Sequence, residues 1–214
     1  MVSALIVQGG WQGHEPEGVA NLLAGSLGDQ GVDVCLEDHL DAFVNNDLTG
    51  FDLLVPIWTM GEISNEQMIP VLQAVHDHGV GIGGVHGGMC DAFRQQTEWQ
   101  YMCGGQWVAH PGNDGVNYTV EMNPSEPDPI TDGVTTLQIC SEQYYMHVDP
   151  CNRVLATTTF GDGTVMPVVW TKHYGAGRVF YCSLGHHVDV IEPPEILAMI
   201  TRGLLWAADG HRRD

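Results

Sequence analysis

Short apolar runs alternate with amphipathic segments through the first half of the chain. The runs have the length of buried strands and occupy residues 4–7, 32–36, 51–55 and 80–85. Apolar residues recur at helical spacing behind the first and third runs. This order predicts an α/β fold in which a parallel sheet carries helices on both faces. Ligands of such sheets bind at the carboxyl ends of the strands.

The ends of two predicted helices are marked by specific residues. Pro16 suits the first turn of a helix, and Gly31 closes that segment. Ser64 and Gln67 have the spacing of a capping box at the start of the next helix. Pro70 falls inside this second helix, which predicts a kink or a later start. A third helix is expected to run from the fourth strand to about residue 101.

The pattern changes in the second half of the chain, where strands follow one another with few helices between them. The strand-like runs are residues 116–120, 154–159, 165–170 and 178–184. A final amphipathic helix is expected from about residue 193 to residue 208. Because no linker, repeat or low-complexity tract interrupts the chain, residues 1–214 are expected to form one domain.

Charge and composition argue against several classes of function. The chain has 27 acidic and 7 basic residues and a net charge of −20, which repels nucleic-acid phosphates and anionic membranes. No apolar run approaches the roughly 20 residues of a membrane span, and the first residues lack the charged region of a signal peptide. The 6 cysteines are scattered and form no CxxC pair. We therefore expect reduced thiols, a cytoplasmic location, and neither a nucleic-acid nor a membrane partner.

His86 is the strongest candidate for chemistry. It stands in the sequence GVHGG, between a predicted strand and a predicted helix, which is the arrangement of a nucleophile elbow. The amino end of the helix disfavours an imidazolium, so a neutral side chain is expected. A neutral imidazole can act as a base, a hydrogen-bond donor or a metal ligand. The alternative interpretation is a histidine that only caps the turn.

Other chemically active residues follow the ends of predicted strands and are therefore expected to meet His86 at one edge of the sheet. The segment 141–150 adds an acid, a histidine and two tyrosines, or else forms a loop with a buried tyrosine pair. Asp91 and Arg94 have the spacing of a structural ion pair, and the role of His110 stays open. We expect catalysis by His86, Glu142 and His186, substrate stacking on Trp11, Trp58, Tyr144 and Tyr145, and metal binding by His14, His147 and His186.

Taken together, these segments resemble the ThuA-like family, named for trehalose utilisation, within the class I glutamine amidotransferase-like fold. The resemblance runs nearly end to end and is carried by residues 9–14, 84–88, 91–94, 104–107, 110–111, 142–148, 167–170, 175–181 and 183–186. It implies a flavodoxin-like three-layer α/β sandwich with a mainly parallel central sheet. It also implies a role in carbohydrate metabolism.

The resemblance does not extend to glutamine hydrolysis. Amidotransferases of this fold carry a cysteine at the elbow, where this chain has His86, and Cys90 lies one helical turn later. Without the thiolate nucleophile the covalent route to glutamine hydrolysis is closed. The carbohydrate link instead implies an enzyme that acts on a sugar or a 3-keto glycoside. A histidine or glutamate would remove the acidic proton at C2, and a metal or a histidine would stabilise the enediolate.

The expected ligand is a small saccharide, and no nucleotide cofactor is expected. Histidine and glutamate suit zinc or a similar divalent ion, but no local spacing such as HExxH marks a site, so a metal-free acid/base pair stays open. Two other functions also stay open: a non-catalytic sugar-binding or regulatory module, and a metal-dependent hydrolase of another small molecule. The 6 tryptophans and the large apolar fraction permit a homo-oligomer.

Overall fold

A nine-stranded sheet forms the centre of the protein, and a separate pair of strands lies beside it. The computed structural model describes residues 2–211. Its strands are β1 (Ser3–Gly10), β2 (Asp33–Glu37), β3 (Leu53–Thr59), β4 (Gly81–Val85), β5 (Gly105–Ala109), β6 (Val116–Met122), β7 (Thr136–Ser141), β8 (Tyr145–Val148), β9 (Arg153–Thr159), β10 (Val165–Tyr174) and β11 (Gly177–Cys182). Its helices are α1 (Pro16–Asp29), α2 (Ala42–Asn45), α3 (Asn65–His76), α4 (Gly87–Cys90), α5 (Thr97–Cys103), α6 (Val188–Ile191) and α7 (Pro194–Ala208).

The sheet has a parallel part and an antiparallel part, in the order β2-β1-β3-β4-β11-β10-β9-β6-β7. Strands β2, β1, β3, β4 and β11 pair in parallel, as the alternating apolar pattern predicts. From β11 onward every pairing in the sheet is antiparallel. The expected flavodoxin-like α/β architecture is thus confirmed. The strand-rich second half of the sequence continues the same sheet.

Helices cover both faces of the parallel part, which gives three layers. The apolar run in β1 supplies both interfaces, because Ala4 and Ile6 face one core and Leu5 and Val7 face the other. Helices α1 and α7 pack on the first face. Residues of α2, α3 and α5 belong to the second core. Within residues 2–211, no helix is long and apolar enough to cross a membrane.

The structure excludes one alternative for one helix and corrects the prediction of another. Helix α3 does not start later than its capping box: it begins at Asn65, directly after Ser64, and contains Pro70, so the kink is the alternative that stays a prediction. The helix expected over residues 87–101 is instead two helices, α4 and α5. Phe93 between them has φ of 49°, which ends helical geometry, and its N–H donates to the carbonyl oxygen of Met60. The segment after α4 therefore pairs with the end of β3.

The packing of α7 on the sheet depends on a glycine in the helix. A Cβ atom at Gly203 would overlap the ring of Phe180 in β11. Gly203→Ala is therefore expected to lower the free energy of unfolding by about 1–3 kcal/mol. Gly25, inside α1, has no heavy atom within 4 Å of such a Cβ atom, so Gly25→Ala is expected to raise stability by about 0.4–1 kcal/mol. Urea denaturation of the two variants measures both changes, and a similar change in the two would contradict this packing argument.

Candidate functional site

The carboxyl ends of the parallel strands bring three histidines together. His14 lies in a 3₁₀ turn after β1, His86 follows β4, and His186 follows β11. Thr59, at the end of β3, forms a hydrogen bond with His14. Glu142 comes from the antiparallel part, directly after β7. Side chains from both parts of the sheet therefore build one buried cluster.

His86 has an unusual backbone that fits the elbow predicted from its flanking glycines. Its φ is 49° and its ψ is −139°, a conformation that is rare for residues other than glycine. Its N–H donates to the carbonyl oxygen of Cys182 at 2.7 Å, and its carbonyl oxygen accepts from the hydroxyl of Tyr181 at 2.9 Å. A Cβ atom at Gly87 would lie 2.8 Å from the ring of His14. Such strain occurs where a fold positions a functional side chain.

Glu142 is the centre of the cluster. Its Oε2 lies 3.2 Å from His86 Nε2, 3.4 Å from His186 Nδ1 and 3.9 Å from His14 Nε2. Its Oε1 lies 3.5 Å from Nδ1 of a fourth histidine, His110. Potential ligand atoms of His14, His86, Glu142 and His186 all lie within 4.8 Å of one another, and all four residues are buried.

A second layer of hydrogen bonds fixes two of these imidazoles. His14 Nδ1 lies 2.8 Å from the hydroxyl of Thr59, and His86 Nδ1 lies 2.7 Å from the carbonyl oxygen of Ser183. The second contact is the pattern expected of a metal-binding histidine, whose other ring nitrogen donates to a carbonyl or carboxylate. Both rings are therefore oriented before any ligand binds.

Burial sets the charge of the cluster. Desolvation lowers the pKa of His14 to about 3, with further lowering from the neighbouring His86 and His186. Desolvation likewise lowers the pKa of His86, against the opposing effect of Glu142. Burial alone would raise the pKa of Glu142, but the adjacent His186 and His86 outweigh it and hold the pKa below its ordinary value. His14 and His86 are therefore neutral near pH 7 and face an ionised carboxylate.

In this charge state, the facing atoms of His86 and Glu142 are both acceptors and share no proton. The carbonyl oxygen of Ser183 can only accept, so Nδ1 of His86 carries the proton. Nε2 of a neutral His86 then presents its lone pair to Oε2 of an ionised Glu142, 3.2 Å away. Nδ1 of His186 is also buried without a hydrogen-bond partner among the described residues. Three imidazoles and one carboxylate form a donor set that fits zinc or a similar ion.

A pocket of about 150 Å³ opens beside the cluster. Arg94 closes one wall through two hydrogen bonds to Asp91, of 2.6 and 2.9 Å, and lies 4.5 Å from the centre of the Trp107 ring. Trp11 stands at the solvent side and is 47% exposed. The full lining is Trp11, His14, Met60, Asp91, Arg94, Trp107, His110, Glu142 and Tyr144.

The structure brings together most of the residues singled out in the sequence. His14, His86, Glu142 and His186 form the cluster. Tyr144 stacks on His86, with ring centres 4.0 Å apart, and lines the pocket together with Trp11.

Three residues expected in the site lie elsewhere. The ring of Trp58 packs over Gly9 and Gly61 and does not line the pocket. Tyr145 and His147 are exposed on β8, where they alternate with the buried Met146. Because successive strand residues point to opposite faces, Tyr145 and His147 point away from the cluster that Tyr144 contacts. His147 therefore does not join the metal-ligand set predicted for it.

Other pocket residues had only an open or a structural role in the sequence prediction. His110 follows β5 and reaches Oε1 of Glu142. Asp91 and Arg94 form the expected ion pair, and the same pair also lines the pocket with Trp107. The weak signal for His110 was its place in a His-Pro turn after a tryptophan-containing run. Local sequence does not show that this turn folds back onto the sheet edge.

The neutral His14 predicts an acid-sensitive fold for the metal-free protein. The folded pKa of about 3 lies below the ordinary value of 6.5, so between these values the unfolded chain binds more protons than the folded chain. The stabilising contribution is present above about pH 6.5 and is lost as the pH falls towards about 3. Urea unfolding of metal-free protein between about pH 7 and pH 4 measures the slope. The slope should be shallower in His14→Gln, and an unchanged slope would contradict the assignment.

Comparisons with known proteins give the chain a family and a fold. A family model described as ThuA, trehalose utilisation, matches residues 3–207. A ThuA-like protein of Parabacteroides merdae has a TM-score of 0.77 at 20% identity, with 100% of this chain and 92% of that chain covered. A ThuA-like protein of Bacteroides uniformis has a TM-score of 0.74 at 14% identity, with 97% and 91% covered. A cytoplasmic protein of Salmonella typhimurium has a TM-score of 0.68 at 12% identity, with 98% of each chain covered. No curated protein matches the chain.

Proposed function

The chain belongs to the trehalose-utilisation family, ThuA, and from that premise we propose that it is a metal-assisted enzyme that removes a proton next to the carbonyl of a keto-sugar. Family membership supports a carbohydrate-related role in general terms. The reaction and the metal are our proposal. The substrate class is a 3-keto glycoside, whose C2 proton is acidic because it is adjacent to the ketone.

The contact between His86 and Glu142 carries this proposal. A neutral imidazole nitrogen and an ionised carboxylate oxygen, 3.2 Å apart, repel unless a proton or a cation lies between them. Burial disfavours the protonated form of His86. His14 and His186 direct further ring nitrogens to the same place. A divalent cation satisfies all four side chains at once.

The four cluster residues would hold the ion, and the ion would polarise a sugar oxygen and stabilise negative charge that develops on it. His86 and His14 are already oriented through their second ring nitrogens. Tyr144 covers one face of His86 and separates it from water. The residues of the cluster thus supply a fixed, largely dehydrated set of donors.

Glu142 and His110 handle the proton in this proposal. Oε1 of Glu142 faces the pocket side and lies 3.5 Å from His110. Glu142 takes the C2 proton, and the C–H electron pair forms the double bond of the enediolate between C2 and C3. The ketone at C3 then re-forms, the C2–C3 electron pair moves to make a C1=C2 double bond, and the C1–O bond to the leaving group breaks. The departing oxygen keeps the C1–O electron pair and receives, through His110, the proton that Glu142 took; the His110 side chain is 28% exposed. No opposed pair of glycosidase carboxylates is needed for this route.

The shape and polarity of the pocket favour one sugar ring. A volume of about 150 Å³ is well below the roughly 300–1,000 Å³ of pockets that enclose drug-sized ligands. The exposed ring of Trp11 can pack on the apolar face of a pyranose, and Trp107, whose ring is covered by Arg94, closes the pocket wall. The Asp91–Arg94 pair presents an acceptor and a donor to sugar hydroxyls. The rest of a glycoside would extend past Trp11 into solvent.

We also propose a cytoplasmic location and no nucleotide cofactor. Support for the location comes from the cysteines: Cys90, Cys103 and Cys182 are buried as free thiols, and Cys35, Cys140 and Cys151 are free as well. Within residues 2–211, the pocket wall contains one arginine, which is paired to Asp91, so none of these residues offers an unpaired cation to a phosphate.

Metal content and turnover test the proposed function together. Tag-free protein is analysed for bound metal beside Glu142→Gln and, as the matched control, His147→Gln, which alters a histidine outside the cluster. Turnover is measured with a chromogenic 3-keto glucoside and with the unoxidised glucoside. We expect metal in the wild type and in His147→Gln, its loss in Glu142→Gln, and release of the chromophore from the keto-sugar alone.

Other results would overturn this proposal in distinguishable ways. Chelator-sensitive cleavage of the unoxidised glucoside, or of another small ester or amide, would indicate a metal-dependent hydrolase. Saccharide binding with no turnover and no metal would indicate a sugar-binding module. Turnover of the keto-sugar by metal-free protein would leave Glu142 and His110 as the proton-transfer pair and remove the ion.

A further inference from the structure

A second group of possible metal ligands lies on the solvent side of the buried cluster. Ligand atoms of Asp114, His186 and His187 lie within 4.8 Å of one another. His186 is buried, His187 is partly buried and Asp114 is exposed. We propose that these three residues form a second divalent-metal site, adjacent to the buried centre and sharing His186 with it. This inference goes beyond the proposed function and does not depend on the sugar chemistry.

The three ligands come from two loops at the same edge of the sheet. Asp114 lies in the connection between β5 and β6, and His186 and His187 lie between β11 and α6. The two histidine rings have centres 4.0 Å apart. The Asp114 loop begins with His110, which lines the pocket. An ion bound here would tie this pocket-lining loop to the end of β11.

His187 has an unpaired nitrogen that supports the assignment. Its Nδ1 is buried and has no hydrogen-bond partner among the described residues. A buried polar atom without a partner destabilises the fold unless a ligand or an ion satisfies it. The acid beside it is Glu15, whose Oε2 lies 3.9 Å away and accepts from the N–H of Val188 at 2.9 Å. A cation bound beside His187 would lie in the negative field of Asp114 and Glu15.

The donor set identifies the class of ion. Two imidazoles and one carboxylate suit zinc, nickel or cobalt, whereas magnesium and calcium prefer oxygen ligands. Three protein ligands leave a position for water, as in open zinc sites. His186 can serve both sites because an imidazole has two ring nitrogens. With both sites filled, His186 would bind as an imidazolate, and its remaining ring proton would pass to solvent.

Zinc stoichiometry tests the second site directly. Tag-free protein is stripped, equilibrated with buffered Zn²⁺ and analysed for zinc per chain. We expect about two ions in the wild type and about one in Asp114→Asn/His187→Gln. The variant Glu37→Gln/His39→Gln removes one acid and one histidine from another exposed pair, 3.4 Å apart, and should keep both ions. Asp114→Asn alone changes only an exposed residue, so it checks that a loss of zinc in the double variant does not come from misfolding.

Zinc binding at the buried centre is measured separately with the variant His14→Gln/Glu142→Gln. Loss of one ion in each of the two site variants would support two sites. One ion in the wild type that survives Asp114→Asn/His187→Gln would remove the second site and leave the buried centre intact. Zinc retained in His14→Gln/Glu142→Gln but lost in the outer variant would support the second site and contradict the buried centre. Equal loss in the Glu37/His39 control would show non-specific binding and overturn the second site.

Discussion

Replacing His86 by alanine is expected to abolish tight metal binding and to lower turnover by about 10²–10⁴-fold, the range for losing a positioned catalytic group. His86 directs Nε2 at Glu142 and holds its ring in place through Ser183. Alanine removes a ligand and also frees space beside Tyr144, which stacks on the ring. Metal analysis and steady-state kinetics with a 3-keto glycoside measure the two effects.

The His86→Ala result needs controls for the strained backbone and for the nearby thiol. His86→Asn is the second variant, because asparagine tolerates positive φ better than most residues, and it should also lose activity. Burial raises the pKa of Cys90 well above its ordinary value, with a smaller contribution from Cys103. Cys90→Ala should therefore keep turnover near the wild-type level. Full activity in His86→Asn, or loss of activity in Cys90→Ala, would contradict an imidazole-centred site.

Lys172→Ala is expected to lower the free energy of unfolding by about 3 kcal/mol, near the lower end of the range for removing one partner of a buried ion pair. Nζ of Lys172 lies 2.6 Å from the carbonyl oxygen of Tyr101 and 3.0 Å from Oδ2 of Asp149, and the side chain is 4% exposed. The loss of stability should stay near the lower end of this range, because Asp149 keeps a hydrogen bond from the N–H of Cys151 after Lys172 is removed. Urea denaturation gives the free energy.

An exposed ion pair in the same protein provides the comparison for Lys172. Arg153 contacts Glu126 at 3.0 Å, and the two side chains are 43% and 46% exposed. Glu126→Ala should cost no more than about 1 kcal/mol, because water screens exposed pairs. Losses of equal size in Glu126→Ala and Lys172→Ala would show that burial does not set the value of these pairs.

Local patterns in the sequence were sufficient to predict the parallel half of the sheet and to place three of the four cluster residues at its edge. Apolar runs locate strands, and the carboxyl ends of parallel strands meet at one edge. That rule alone brings His14, His86 and His186 together, as the structure shows. The glycines around His86 predicted a tight strand-to-helix turn, and the positive φ of that residue agrees with it.

The sequence also placed Glu142 in the site, and the structure brings it there, but the strand-end rule gave no reason for it: Glu142 lies 56 residues from His86 in sequence and reaches it from the antiparallel half. Local reasoning failed for Trp58, where the outcome depends on distant packing. Trp58 follows the correct strand, but the adjacent glycines Gly9 and Gly61 let its ring pack on the backbone instead of in the pocket. Residue type could not distinguish these outcomes, because the neighbours of each side chain come from other strands.

The sequence by itself determined the first four strands and the helices α1 and α3 between them, a histidine instead of a thiol at the elbow, and a strongly acidic charge. Each of these features depends on neighbouring residues or on a sum over the chain, so it can be predicted without knowing which distant segments pack together. Only the tertiary structure decided that His147 points away, that His110 faces Oε1 of Glu142, and that a buried carboxylate meets three imidazoles. Which face a short strand presents depends on its pairing register, and a one-residue shift of register exchanges the two faces. Nonlocal packing sets that register.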